Sequence, residues 1–431
     1  MTERWDAVVV GAGPAGATTA LLLARAGVSV LLLDRARFPR DKPCSEYLSP
    51  ATTSILERLG GGILETVEGV AHAKLYGMKV VAPSGAAVCG RFRGGPRPYS
   101  FALPRTSFDT ILAAAAAREG AVVREGVAVE DLVLDDGAVA GVVARSRNGH
   151  RTTCHSRVVV GADGLRSVVA RRLRLTRRSR PHRVAFTAHV AGVAGVDGLG
   201  ELHVSERGYV GLGPVGAGIT TVALVLPVSA VRESGRDYRA DFFTELERFP
   251  GLAGRFDGHR LVRGVLTTGP FAQWSRSAVG AGGGALLVGD AADFFDPFTG
   301  QGIYAALRGA ELAAESLIRV LSPCPPLRSG EGERGEFLLA RRERRIGGED
   351  RGPVSAAALA SYRRARRREF AGKWLLERVI GLGVGWPALA ERVVRRLARR
   401  PDLADLLVSA TGNIVPARHV FVPTVLAQLL W

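Results

Sequence analysis

Between Asp6 and Asp34 stand a β-branched run, three glycines spaced as GxGxxG, an apolar stretch and a second apolar run closed by an acid. Few local patterns restrict a fold more. Asp6 to Val10 (DAVVV) predicts a buried strand, Gly11 to Gly16 (GAGPAG) a turn, Ala17 to Ala26 a helix stopped by Gly27, and Val28 to Leu33 a second strand ending at Asp34. In such a βαβ unit Gly11 permits the tight turn, Gly13 lets a pyrophosphate approach the backbone, and Gly16 lets helix and strand pack closely. Pro14 and Ala15 complete the turn. Asp34, followed by Arg35, stands where a ribose diol is held.

Two more glycine-acid turns follow. Arg157 to Gly164 (RVVVGADG) runs from an apolar strand into a turn at Asp163 and opens a helix at Leu165. Gly284 to Glu315 reads as a buried strand, a turn at Gly289 and Asp290, a loop with Pro297, Gly300 and Gly302, and an Ala-rich helix. The start of that helix offers unpaired N–H groups and a positive dipole end to an electron-rich partner. A dinucleotide has two phosphates, two sugars and two rings, so three turns can converge on one.

The rest of the chain divides by pattern. Ser49 is expected to cap a helix through Leu59, and Thr106 or Ser107 a helix from Phe108 to Glu119. Val122 to Leu134 and Val139 to Ala144 read as strands. Short alternating strands over Val70 to Phe101 and Val184 to Pro270, with a helical piece near Asp241 to Arg248, suggest two visits to one β-rich unit. The expected division is a discontinuous dinucleotide-binding domain (1–69, 103–182 and 271–321), a β-rich substrate domain (70–102 and 183–270), an exposed linker (322–354) and a C-terminal helical region (355–431). Its helices are expected at Ser355 to Ile380, Trp386 to Arg400 and Asp402 to Ala410, the middle one with Leu389, Val393 and Leu397 on one face.

Composition narrows the function classes. The net charge of +17 raises nucleic-acid binding, yet it is concentrated late: residues 328–400 hold 19 basic and 9 acidic residues. That segment is poor in stacking aromatics and carries no nucleic-acid motif, so no nucleic-acid partner is expected. A solvated basic face is the plain reading, and peripheral contact of the basic C-terminal helices with anionic lipid is the other. Cysteines 44, 89, 154 and 324 have no metal-ligand or CxxC spacing, which argues against a metal site or a disulfide framework. The N-terminal stretch lacks a signal-peptide pattern, and no apolar run reaches the roughly 18 residues that span a bilayer. The expected compartment is the cytoplasm, with membrane association left open.

The three turns in this order resemble the group A flavoprotein monooxygenases of the para-hydroxybenzoate hydroxylase fold, over nearly the whole chain up to about Val320. The implied fold class is α/β, a Rossmann-type FAD-binding domain with an inserted β-rich domain and C-terminal helices. By resemblance, Asp34 binds the adenosine ribose of FAD, Arg105 reaches the pyrophosphate, Val129 contacts the adenine through its backbone, Asp163 and Gly164 support the pyrophosphate and nicotinamide side, and Asp290 holds the ribityl chain. The loop of Pro297, Phe298, Thr299, Gly300, Gln301 and Gly302 sets its backbone N–H groups, from Phe298 onward, at the flavin N1 and O2 edge.

Within that superfamily, KPC followed by LSP at 42–50 and DPFTGQGIYAAL at 296–307 resemble the geranylgeranyl reductase and halogenase-like branch. The resemblance makes Cys44 a candidate active-site residue, with an ordinary loop cysteine as the alternative. Tyr209 to Pro214 (YVGLGP) keeps the Tyr and Pro of the branch's YxWxFP stretch but has Gly211 and Gly213 for Trp and Phe. That departure moves the expectation from double-bond reduction to oxygen transfer. The expected activity is therefore an FAD-dependent monooxygenase of secondary metabolism, which hydroxylates or epoxidises a hydrophobic aromatic, polyketide or isoprenoid-type substrate through a flavin C4a-hydroperoxide. O2 is the co-substrate, and Tyr209, Gly211, Gly213 and Phe295 are substrate contacts. Only one dinucleotide fingerprint is present, so NAD(P)H binds transiently or a separate flavin reductase delivers electrons. Double-bond reduction is the alternative, and halogenation or a non-catalytic flavoprotein comes third.

Overall fold

The computed structural model of the protein describes residues 2–178, 182–275, 277–322 and 352–430. Cys324 and nearly all of the expected linker lie outside them. The strand Thr2–Val10 pairs in parallel with Val30–Asp34 on one side and with Arg151–Gly161 on the other. Ala285–Leu287 joins the far edge of Arg151–Gly161, again in parallel. In this register Val10 lies beside Leu33 and Gly161, and Gly161 beside Leu287. Four strands thus end on one line, and every turn that follows leaves from the carboxyl edge, where open α/β sheets bind ligands.

Val122–Glu125 extends this sheet beyond Val30–Asp34, while Ala138–Ser146 and Val127–Asp135 form an antiparallel wing on the other side. The single strand expected over Val122 to Leu134 is therefore two. Gly126, at φ +72°, breaks the run and sends each half to a different neighbour. Helices Pro14–Arg25 and Gly302–Leu321 pack on the sheet and on each other, and Leu21, Leu23, Leu31, Val159, Leu286, Leu307 and Leu317 have no exposed surface.

A second sheet of seven strands runs in the order Arg260–Thr268, Arg183–Ala191, Ile219–Pro227, Gly208–Gly216, Gly200–Ser205, Gly77–Val81 and Ala87–Arg91. The segments before and after the helix Arg105–Arg118 thus share one sheet: Gly77–Val81 pairs in parallel with Gly200–Ser205.

Several helix starts differ from expectation. Pro104, not Thr106 or Ser107, precedes the helix Arg105–Arg118, and its first turn has no side-chain cap. Ser49 stands before Pro50–Leu59, but its hydroxyl meets the Thr52 hydroxyl (3.2 Å) in place of a backbone N–H. The helix after GADG begins at Val168, where Ser167 accepts from Ala170 N–H (2.9 Å). The three C-terminal helices are Ala360–Gly385, Pro387–Ala398 and Pro401–Thr411, followed by a fourth over Pro423–Leu430. Pro387–Ala398 buries Val394 and Leu397 with Ala82 and Val88, and Ala390 with Leu202 and Val384, so its apolar face belongs to the protein interior.

Candidate active site

The three glycine-acid turns meet. Ala162 N–H donates to Val10 O (2.8 Å) and Val288 N–H to Gly161 O (2.9 Å), which ties each turn to its neighbour. Only glycine fits at position 11, because φ is +98° and a Cβ would lie 2.6 Å from the Ala162 carbonyl oxygen. Gly16 packs against the Gly11 carbonyl oxygen as the helix–strand contact requires.

The Pro14–Arg25 helix starts at Gly13 with no side-chain cap and no acid in its first turn. Its free N–H groups lie where Arg105 and Arg40 converge: a Cβ at Gly13 would sit 3.9 Å from Arg105 Nη2 and 3.6 Å from Arg40 Nη2. Arg105 is buried and forked onto Asp109 at 2.7 Å through both nitrogens. Burial works against its charge, but Asp109 and the neighbouring Cys44 sulfur outweigh it, holding its pKa above the ordinary arginine value. Asp34 is buried and accepts Ala12 N–H and Ala36 N–H, each at 2.8 Å.

From Gly13 a cavity of about 760 Å³ runs past Pro14, Ala15, Cys44, Arg105, Gly289 and Asp290 to the second sheet. There its wall is largely apolar, with Leu75, Leu202, Ala223, Val225, Phe271 and Phe295. The loop Pro297–Thr299, Gly300 and Gly302 closes one side. Gly302 opens the long helix with nothing within 4 Å of its Cβ position, and that helix has no side-chain cap. Gly300 has φ +65°, and a Cβ there would lie 2.6 Å from Tyr47 Cδ1.

This loop is fixed from the second sheet. The Tyr209 hydroxyl donates to Asp296 Oδ1, Arg183 pairs with Asp296 Oδ2 (2.8 Å), and Phe298 N–H reaches Oδ1 (3.4 Å). Burial raises the Asp296 pKa, opposed by Arg183 and Tyr209, and burial with Asp296 beside it pushes the Tyr209 phenol well up. Beneath Cys44, Glu46 is fully buried and gathers His189 Nε2, the Thr221 hydroxyl and Arg105 N–H. Burial raises its pKa, but His189 and these hydrogen bonds prevail and leave it below the usual carboxylate range.

The cavity thus collects Gly13, Pro14, Ala15, Cys44, Arg105, Tyr209, Gly211, Gly213, Gly289, Asp290, Phe295, Pro297, Phe298, Thr299, Gly300 and Gly302. Gly164 lines it as well, whereas Gly11, Gly16, Asp34, Arg35, Val129, Asp163 and Gln301 do not. Gln301 turns away, its Nε2 donating to Thr411 O (2.7 Å). Asp163 accepts Val168 N–H (2.6 Å) and so anchors the next helix, with burial raising its pKa. Arg35 is exposed, and Val129 sits in the antiparallel wing opposite Ala144. Arg183, Glu46 and His189 were missed as site residues, because each acts through partners distant in sequence and none belongs to a local motif. Asp296 was missed although it opens the DPFTGQGIYAAL stretch, because its pairing with Arg183 and Tyr209 reaches across to the second sheet.

These residues fit FAD: two uncapped helix starts, a buried acid on the first turn, an arginine at Gly13 and an apolar chamber beyond. The family model described as "FAD binding domain" matches residues 4–326. The chain belongs to this FAD-binding family. A menaquinone reductase of Mycolicibacterium smegmatis is 33% identical over 362 residues, 79% of this chain and 84% of that protein. A digeranylgeranylglycerophospholipid reductase of Methanothrix thermoacetophila is 30% identical, covering 74% of this chain and 79% of that one. A solved geranylgeranyl bacteriochlorophyll reductase-like protein from Thermoplasma acidophilum superimposes with a TM-score of 0.72 at 21% identity, over 100% of this chain and 99% of that one, a likeness of fold. The flavoprotein is an FAD-dependent oxidoreductase of the expected α/β class, with a second sheet facing the cofactor domain. None of its described helices is long and apolar enough to cross a membrane.

Proposed function

We propose that this flavoprotein reduces a carbon–carbon double bond in a hydrophobic, isoprenoid-type substrate. The observation that carries the reading is a cavity continuous from the dinucleotide turn at Gly13 to the apolar wall beneath the second sheet. Reductase activity in the names of two relatives at 30% identity or more supports it. FAD, when bound, supplies hydride chemistry, and the electrons come from NAD(P)H or a separate reductase. With FAD in place, hydride would be available to one alkene carbon and a proton would be needed at the other, so the product would gain two hydrogens. Cys44 Sγ, on the cavity wall beside Arg105, is the protein atom we assign to hold that proton. Phe271, Phe295 and Phe298 keep water from the reacting carbons. Incubation with reductant and geranylgeraniol, whose only reducible bonds are alkenes, under argon should yield a product about 2 Da heavier, as two added hydrogens require. A product formed only in air and about 16 Da heavier would overturn the reading, since that is one oxygen atom.

Oxygen transfer is the second reading, favoured by Gly211 and Gly213. Their Cβ positions have no neighbour closer than 4.0 Å. The chamber is wider there than aromatic side chains would leave it, which suits a fused-ring substrate. We also assign peripheral membrane contact to the outer face of the Ala360–Gly385 helix and the residue after it. Leu375, Val379, Leu382 and Trp386 recur there at helical spacing and are 42–66% exposed. Flotation with anionic vesicles should carry the protein, and Leu382→Asp with Trp386→Asp should release it.

A further inference from the structure

The Ala360–Gly385 helix also has an inner face. Arg363, Arg364, Arg366, Arg367, Phe370, Lys373, Trp374, Glu377 and Arg378 fall along it and line the same cavity. The helix is held in place there. The Tyr362 hydroxyl donates to Leu287 O (2.6 Å), and Glu369 receives Arg308 (3.2 Å) and the Tyr304 hydroxyl (3.3 Å) from the Gly302–Leu321 helix.

Every carboxylate on the cavity lining has a cation: Asp290 has Lys42 (3.9 Å), Asp293 has Arg366, Asp296 has Arg183 (2.8 Å), Glu201 has Arg255 (2.7 Å) and Glu377 has Lys373 (3.5 Å). Arg105 is taken by Asp109. Arg363, Arg364, Arg367 and Arg378 remain, all exposed and without an acid partner among the described residues. Arg367 stands at i+4 from Arg363 and i+3 from Arg364, and like charges at these spacings repel along a helix, whereas Arg378 lies about 16 Å further along the axis. A ligand with several anionic oxygens relieves that repulsion, and guanidinium forks match phosphate geometry.

We propose that Arg363, Arg364 and Arg367 form a phosphate-binding station at the mouth of the cavity, for a second molecule that enters after FAD. The proposal deepens the flavoprotein reading, in which Gly13 and Arg105 already take the FAD pyrophosphate. Two sources share the chemistry: the phosphates of a nicotinamide dinucleotide, and a phosphate on the head of a lipid substrate.

The test uses the full, FAD-loaded chain and titration calorimetry with inorganic pyrophosphate. Wild type should bind it in a salt-sensitive manner. Arg363→Gln with Arg367→Gln should weaken binding roughly tenfold or more, the size of losing charge-assisted hydrogen bonds. Arg395→Gln with Arg399→Gln, on the next helix and off the cavity, should leave it unchanged. No binding by wild type, or equal binding by the Arg363/Arg367 variant, overturns the station. Flavin absorbance is read separately, so loss of FAD would count against the flavoprotein reading while the titration still decides the arginines. Two further arms name the source. If the variant weakens NADPH binding but not NADH binding, the phosphate is the nucleotide's 2′-phosphate. If it weakens geranylgeranyl phosphate but not geranylgeraniol, the phosphate is the lipid's, and if neither arm moves the station has no role in substrate binding and the proposal fails.

Discussion

At the scale of single residues, three side chains carry separable consequences. Asp290 lies on the cavity with its carboxylate 3.9 Å from Lys42, and its proposed partner is the ribityl chain. Asp290→Ala should weaken FAD retention roughly tenfold, the cost of hydrogen bonds to a charged acceptor, as measured by flavin content after dialysis. Gly300 admits no side chain, since its φ is +65° and Tyr47 fills the Cβ direction. Gly300→Ala should cost about 1–3 kcal/mol of stability and loosen the flavin loop, read by thermal melting with and without FAD. Glu46 is buried with a lowered pKa. Its stabilisation is therefore complete above the unfolded carboxylate pKa of about 4.3 and is lost as pH falls through the lower folded value. Glu46→Gln should destabilise by about 3 kcal/mol at pH 7. The gap in melting temperature between the two proteins should shrink below about pH 4, where wild type also loses the charge.

At the scale of elements, the legible parts were those whose chemistry is local. The Asp6 to Asp34 unit could be read because each glycine does a task its neighbours impose: Gly11 would strike Ala162, and Gly16 already touches Gly11. Helix starts were less legible. Pro104 begins a helix by fixing its own backbone, so the Thr106 and Ser107 hydroxyls were not needed as caps. The helix Ala360–Gly385 was misread most. Its arginines look like a solvated face in sequence, and Arg363 and Arg367 are indeed exposed, yet they stand at the cavity mouth while Phe370, at i+7 from Arg363, is buried on its lining. Nothing local could say which face meets the flavin domain, because Tyr362 docks on Leu287, 75 positions earlier. The strand Gly208–Gly216 offers an element-scale test. Gly213→Phe should narrow the chamber and raise KM for fused-ring substrates far more than for linear prenyl chains, in steady-state assays with both.

At the scale of the whole molecule, two sheets and one helix enclose one space. The parallel sheet sets the dinucleotide turns on its carboxyl edge, the second sheet supplies the apolar wall, and Tyr209, Asp296 and Arg183 tie the two together. The alternating patterns of 70–101 and 184–270 made the second sheet legible. The pairing of Glu46 with His189 did not emerge, since 143 positions separate them. This enclosure makes electron flow from flavin to a hydrophobic substrate the central claim. Its most direct test is stopped-flow spectroscopy of the fully reduced protein, mixed without oxygen with geranylgeraniol, which can accept electrons only at its alkenes. Reappearance of oxidised-flavin absorbance in proportion to the substrate added is the outcome expected. A flavin that stays reduced until oxygen is admitted would contradict it.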